Sequence, residues 1–244
     1  MNTISTKKFN ALSEINRITR FIKKFFSDRP QINGAIIGIS GGKDSTVAAA
    51  LCVKALGPDF VHGLLLPAGA QADIHDSYKV CELLEIKYAE INIKKAVDEL
   101  ESAVLQVTNS NPPPYAVPPR IRMTCLYAAA AVKGLLVTCT SNLSELTVGY
   151  ATKWGDNVGD FAPIAHLTKS EVVKVGLALG LPEALINKTP TDGLTGKNDE
   201  QNFGFTYEEL DKYIKGGKVS AEVKAKIEKR IGQNKHKTFA VRSL

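Results

Sequence analysis

The residues best suited to chemistry form one short run, Gly38-Ile39-Ser40-Gly41-Gly42-Lys43-Asp44-Ser45. A β-branched apolar run, residues 35–39, leads into it, and a helical pattern over residues 45–56 follows. Adjacent glycines let a backbone turn tightly and approach a ligand closely. The free N–H groups of a helix start then face an anion, supported by the helix dipole. Ser40 and Ser45 add hydroxyls. The run is a phosphate cradle but not a Walker A loop. Three residues, not four, separate Gly38 from Gly42-Lys43, and Asp44 stands where Ser or Thr would follow the lysine. A carboxylate inside a phosphate cradle repels the ligand unless a cation lies between them. Mg²⁺ is the natural bridge, because it binds one or two carboxylates together with phosphate oxygens. The plain alternative is a structural Gly-rich turn with Asp44 as an ordinary first-turn acid. Agreement between strand, loop, helix and acid favours the cradle.

The elements that must position this loop are readable from periodicity. Residues 35–39, 60–66, 87–93 and 135–140 read as strands, and the first is continuous and β-branched, as in a buried parallel sheet. Helical patterns fall at residues 45–56, 73–84, 94–106, 120–133, 172–179 and 221–231. Thr168 with Glu171, and Thr206 with Glu209, form capping boxes, the second opening a helix to about Lys215. Residues 7–27 read as an amphipathic helix packed on the core or on a second subunit. Residues 109–119 are a proline-rich loop, and residues 187–205 read as a mobile surface loop. Strand–helix alternation predicts an α/β fold, a Rossmann-like parallel sheet with helices on both faces. With no internal repeat and no linker, residues 1–244 read as a single domain.

A second block follows the fourth predicted strand. It runs Thr140-Ser141-Asn142-Leu143-Ser144-Glu145, then Gly149-Tyr150-Ala151-Thr152-Lys153-Trp154-Gly155-Asp156, then Asp160, Pro163, Leu167 and Lys169. Arg120-Ile121-Arg122-Met123 precedes it, and Pro190-Thr191, Asp199-Glu200 and His236-Lys237 follow. The Ser-Gly-Gly-x-Asp-Ser loop resembles that of the N-type ATP pyrophosphatases, which carry an adenine nucleotide α-hydrolase-like fold and split ATP between its α and β phosphates. The second block, in this order over nearly the whole chain, resembles the NAD synthetase family. Singly, these residues have ordinary readings: Arg120, Lys153 and Lys169 as surface charges, Asp156 as half of a turn pair, His236 as an exposed tail residue. Their joint order lifts them above that.

The resemblance implies specific roles. Residues 38–45 would hold the ATP phosphates, with Thr140, Lys169 and Thr191 as further ATP contacts. Asp44 and Glu145 would hold Mg²⁺. Arg120, Lys153, Asp160, His236 and Lys237 would contact deamido-NAD, and Asp156 would orient or deprotonate the incoming ammonia. Asp44, Asp156 and Lys169 are then the candidate catalytic set. The implied reaction is a ligation of deamido-NAD, ATP and ammonia to NAD, AMP and pyrophosphate, carried out by a cytoplasmic homodimer. Three departures stand out. Leu65-Leu66-Pro67 replaces a frequent Arg-Leu-Pro, Thr238 follows His236-Lys237 where Arg is common, and Lys43 stands where Gln is frequent. The short stretch before the first strand contains no Cys, so ammonia is expected as the direct nitrogen source, without a glutamine-hydrolysing domain.

Composition narrows the alternatives. No apolar run is long enough for a membrane span, and the N-terminus has no apolar core of a signal peptide. The cysteines, Cys52, Cys81, Cys125 and Cys139, form no C-x-x-C pair and sit in apolar runs. His62, His75 and His166 belong to no metal cluster. A net charge of +6 suits an anionic ligand. It also keeps open a tRNA-modifying ATP pyrophosphatase, supported by the basic stretch 218–242, and a non-catalytic nucleotide-binding module. The absence of a C-x-x-C and the acid pair Asp44 and Glu145 weigh against these two readings in turn. The expected partners are small molecules, with neither nucleic acid nor membrane.

Overall fold

The computed structural model describes residues 9–188 and 198–237. Its centre is a four-stranded, wholly parallel sheet ordered β3-β2-β1-β4. The strands are β1 (Ala35–Gly38), β2 (Val61–Leu65), β3 (Lys87–Glu90) and β4 (Leu136–Val137). Successive side chains of a strand point to opposite faces. Ala35, Ile37 and Ile39 therefore enter one core and Ile36 the other.

The first core is covered by α1 (Ala11–Ser27), α2 (Lys43–Leu56), α3 (Ile74–Leu83), α7 (Lys169–Ala178) and α8 (Glu183–Ile186). Ile15, Ile18 and Ile22 make the apolar stripe of α1 and are spent on this core. The opposite face of the sheet is covered by α4 (Lys94–Thr108) and α5 (Pro118–Lys133) through Val97, Leu126 and Ala130. Helices thus cover both faces, as the strand–helix alternation predicts. A third cluster joins α6 (Leu143–Val148), α9 (Asp199–Phe203), α10 (Tyr207–Ile214) and α11 (Ala221–Asn234) around Val148, Phe203, Leu210 and Ile227.

Several elements depart from the sequence reading, among them α7, which starts at Lys169 rather than residue 172, and α8, which was given no element. The fourth strand is two residues long rather than six, because the chain leaves the sheet after Val137 and only Thr138 pairs further, with Phe161. The α5 helix starts at Pro118, two residues early, because proline fits a first helical turn where no N–H is needed. Residues 143–148, given no element from sequence, form α6 behind an Asn142–Glu145 capping box. Part of the expected surface loop 187–205 is helix α9, capped by Asn198 and Gln201 and anchored by buried Phe203.

Candidate active site

The phosphate loop bridges β1 and α2. Gly41 adopts φ +72°, and a Cβ there would lie 2.9 Å from the Asp76 Cβ and 3.0 Å from the Ser77 nitrogen, so the turn demands glycine. The serines brace the loop from within. The Ser40 hydroxyl accepts from the Gly42 N–H at 3.2 Å and lies 3.1 Å from the Ser45 hydroxyl. The Ser45 and Thr46 hydroxyls donate to the Gly42 carbonyl at 3.1 and 2.8 Å. The helix begins at Lys43, two residues earlier than the sequence pattern suggests, with Gly42 as its cap and no side chain covering its first N–H groups. These groups have no intrahelical partner and remain open to an anion.

Two further helix starts deliver charged residues to the same place. In α6 the Asn142 side chain accepts from the Glu145 N–H at 3.0 Å, and Glu145 Oε2 accepts from the Asn142 N–H. The box leaves Glu145 Oε1 free to meet Lys169, while Asn142 Nδ2 donates to Asp44 Oδ1 at 2.9 Å. In α7 the Thr168–Glu171 box places Lys169 at the first helical position. Ser144 accepts from the Lys169 N–H at 2.9 Å, and Asp211 of α10 accepts from both the Ser144 hydroxyl and the Ser170 N–H. The Tyr207 ring lies 4.9 Å from the Lys169 ammonium, and its hydroxyl donates to Asp199 at 2.8 Å.

The result is a buried triad of charges. Lys169 Nζ donates to Asp44 Oδ2 at 2.6 Å and to Glu145 Oε1 at 2.9 Å, with a side chain only 6% exposed. Burial alone would lower the Lys169 pKa, but the two carboxylates outweigh it and hold the ammonium above its usual range. Glu145 moves the other way. Burial, with Asp44 alongside, pushes its carboxyl up to about 7 against the pull of Lys169. Once Glu145 is ionised, two carboxylates facing one ammonium leave a surplus of negative charge in an enclosed place. That donor set fits a hard divalent cation completing its shell with phosphate oxygens and water. Lys43, also buried, has a lowered pKa, first from burial and then from Lys169.

The triad opens onto a cavity of about 1160 Å³. Of the sequence-identified residues, Gly38, Ile39, Ser40, Gly42, Lys43, Asp44, Ser45, Thr140, Glu145 and Lys169 line it, together with Arg120, Lys153, Asp156, His236 and Lys237. Gly41 sits behind the loop, against α3. Thr191 lies outside the described residues. Asp160 does not line the cavity: its Oδ2 accepts the Val137 N–H at 2.7 Å and serves the edge of β4.

The second half of the cavity is built by α5, the segment after α6 and the turn after α11 that carries His236 and Lys237. Arg120 donates to the Lys153 carbonyl at 3.1 Å and to the Ala116 carbonyl at 2.5 Å. The Asp156 carboxylate is open to the cavity and accepts the Thr152 N–H at 2.7 Å, while the surrounding protein desolvates it and raises its pKa. Lys237 donates to the Gly149 carbonyl at 3.0 Å, which ties the turn after α11 to the α6 terminus.

Sequence reasoning gave no role to several lining residues. Arg122 donates to the Leu66 carbonyl at 3.0 Å, beside the position where the usual arginine is missing. Arg230 lies over the rings of Tyr150 and Phe203 at 5.4 and 4.9 Å. Lys188 pairs with Asp73 and Asp76 at 2.7 and 2.8 Å. Arg122 belongs to the Arg120-Ile121-Arg122-Met123 run and Arg230 to a basic helix. Asn142 carried a visible signal, an N-x-x-E spacing just before the run.

Comparisons with known proteins agree with this geometry. The NAD synthase family model matches residues 14–240. An NH3-dependent NAD+ synthetase from Thermococcus sibiricus is 41% identical over 201 residues, 82% of this chain and 78% of that protein. Among solved structures, an NMN synthetase from Francisella tularensis superposes with a TM-score of 0.88 at 31% identity, covering 97% of this chain and 99% of the other. An NH3-dependent NAD synthetase from Campylobacter jejuni gives 0.76 at 28%, covering 97% and 100%. With the loop, the acid pair and the bridging lysine all in one cavity, the chain belongs to the NAD synthase family.

Proposed function

We propose that this protein is an ammonia-dependent, AMP-forming ligase that converts deamido-NAD to NAD. The observation carrying the reading is Lys169 held between Asp44 and Glu145 on the wall of a cavity that the Ser40–Ser45 loop also lines. Among the described residues, eight cationic side chains and five carboxylates line this cavity, a balance suited to two polyanionic substrates. Its volume exceeds the usual range for one small ligand.

The nicotinate carboxylate must approach an α-phosphate, and both are negative. The loop N–H groups take the phosphates and Lys169 lowers the repulsion at the reacting centre. Asp44 and Glu145 would hold Mg²⁺, which would neutralise charge on the phosphates. Arg120, Lys153 and Lys237 supply cations for the dinucleotide. Asp156, with its raised pKa, is a better base than a free aspartate and is the group to orient ammonia toward the adenylated carbonyl. Lys188 ties the segment after α8 to Asp73 and Asp76, and this clasp helps to shelter the adenylate from water.

The Francisella relative favours a second reading with the same chemistry on a shorter substrate, nicotinate mononucleotide, giving NMN. Pyrophosphate–ATP exchange tests both. Exchange that depends on deamido-NAD supports the first reading, and exchange that depends only on the mononucleotide supports the second. Exchange dependent on neither, but on tRNA, would overturn both.

Among the described residues no helix is long and apolar enough to cross a membrane. We place the enzyme in the cytoplasm as a homodimer. In α1 Ile15, Ile18 and Ile22 are buried internally and Leu12 and Phe21 stay exposed; we assign the contact to the larger exposed apolar set of α4 and α5, Leu100, Leu105, Val107, Tyr127 and Val132.

A further inference from the structure

Lys43 breaks three local rules at once. It is the first residue of α2, where the helix dipole disfavours a cation. It is 9% exposed, and burial of an ammonium is costly without a partner. Its surroundings supply none. Among the described residues Lys43 makes no hydrogen bond or ion pair, whereas Lys169, the cation that acts on it, already takes both Asp44 and Glu145. Asp44, Asp199 and Glu200 attract it only from beyond ion-pair contact. A glutamine of similar length would avoid the charge altogether. Such a residue destabilises the empty protein, and its charge is satisfied only when a ligand brings negative charge to the loop. The side chain lines the cavity beside the free N–H groups of the α2 start.

We propose that the Lys43 ammonium is the receptor for the pyrophosphate that leaves, and therefore a catalytic residue distinct in role from Lys169. This rests on the reading of the cavity as an ATP site. In the adenylation step a carboxylate oxygen bonds to the α-phosphorus while the bond from that phosphorus to the α–β bridging oxygen breaks. The bridging oxygen keeps the electron pair and departs on pyrophosphate, so negative charge grows on the leaving group as the step proceeds. Lys169 is committed to the two carboxylates. Lys43 has no such commitment and can give its whole charge to the departing group, with no proton transferred. Its attraction is stronger in the transition state than in bound ATP, so it acts on kcat more than on the KM for ATP. The same contact makes free pyrophosphate a tight product.

The test uses Lys43→Gln and Lys43→Arg, with inorganic pyrophosphate as probe in calorimetric titration and in thermal unfolding. Loss of one charge-assisted contact should weaken pyrophosphate binding by about 10- to 100-fold in Lys43→Gln, with most of the affinity kept in Lys43→Arg. Without ligand, Lys43→Gln should melt at a higher temperature than the wild type, and its gain on adding pyrophosphate should be smaller. Its kcat should fall by a larger factor than its KM for ATP rises. Pyrophosphate affinity in Lys43→Gln within threefold of a wild type that does bind it would overturn the assignment. So would a lower melting temperature with unchanged affinity, which marks a structural lysine. A wild type that binds neither pyrophosphate nor ATP would instead overturn the ATP-site reading beneath it.

Discussion

Replacing Lys169 by methionine removes the one cation between two enclosed carboxylates. The methionine keeps most of the stem packing, so the change is chiefly electrostatic. Asp44 and Glu145 are 18% and 17% exposed, and each loses a short bond to the ammonium. Breaking a buried ion pair from one side costs about 3–5 kcal/mol. Unfolding entropy per residue, summed over a chain of this length, gives about 0.5 kcal/mol per degree near Tm, so Tm should fall by about 6–10 °C. The loss should also depend on pH. Glu145 already lies at about 7, above its ordinary 4.5. A carboxyl raised on folding binds more protons folded than unfolded between those values. Its contribution is therefore fully present below pH 4.5 and is lost as pH rises through 7. Without Lys169 it rises further, and protonation relieves the repulsion. Scanning calorimetry should find a smaller deficit at pH 5 than at pH 8, while turnover falls on the order of 10²–10³-fold. A deficit equal at both pH values, or none, would refute the charge argument.

Other consequences are equally direct. Mg²⁺ should bind more tightly at pH 8 than at pH 6 and release protons, since Glu145 must give up its own; titration calorimetry in two buffers of different ionisation heat reads this, and Asp44→Asn should abolish it. At Gly149, with φ +60°, a Cβ would come within 2.4 Å of the Asn234 Cβ, so Gly149→Ala should dislodge the end of α11, cost about 1–3 kcal/mol and raise the KM for the dinucleotide more than that for ATP. Asn142→Ala should cost about 1 kcal/mol for the lost cap and lower kcat by freeing Asp44; an unchanged kcat would show that Asp44 needs no such support. Val132→Glu, on the exposed face of α5, should convert a dimer to a monomer in light scattering, and an unaltered mass would move the contact elsewhere.

What could be read from the chain followed its strongest periodicities. The continuous β-branched run at residues 35–39 and the capping box at Thr168 placed β1 and α7, and with them the loop and Lys169. Short elements escaped. The α6 helix has six residues and α9 has five, too few turns for an apolar period to emerge, although each begins with an Asn whose side chain closes a capping box. Residues 138–140 kept the composition of a strand, yet the chain leaves the sheet there and only Thr138 pairs further, with Phe161. Arg230 was hidden because a basic helix reads as a solvated face, and only the fold turns that side chain over Tyr150 and Phe203. Asp160 carries the converse lesson: a motif position can serve the backbone, here the Val137 N–H.

One endpoint assay tests the proposed activity most directly. Purified protein is supplied with Mg-ATP, deamido-NAD and ammonium, and NAD is read with a dehydrogenase. NAD formation that requires ammonium, releases AMP and pyrophosphate in equal amounts and disappears in Asp44→Asn is the predicted result. Absence of NAD, with pyrophosphate released only when tRNA is added, would contradict it.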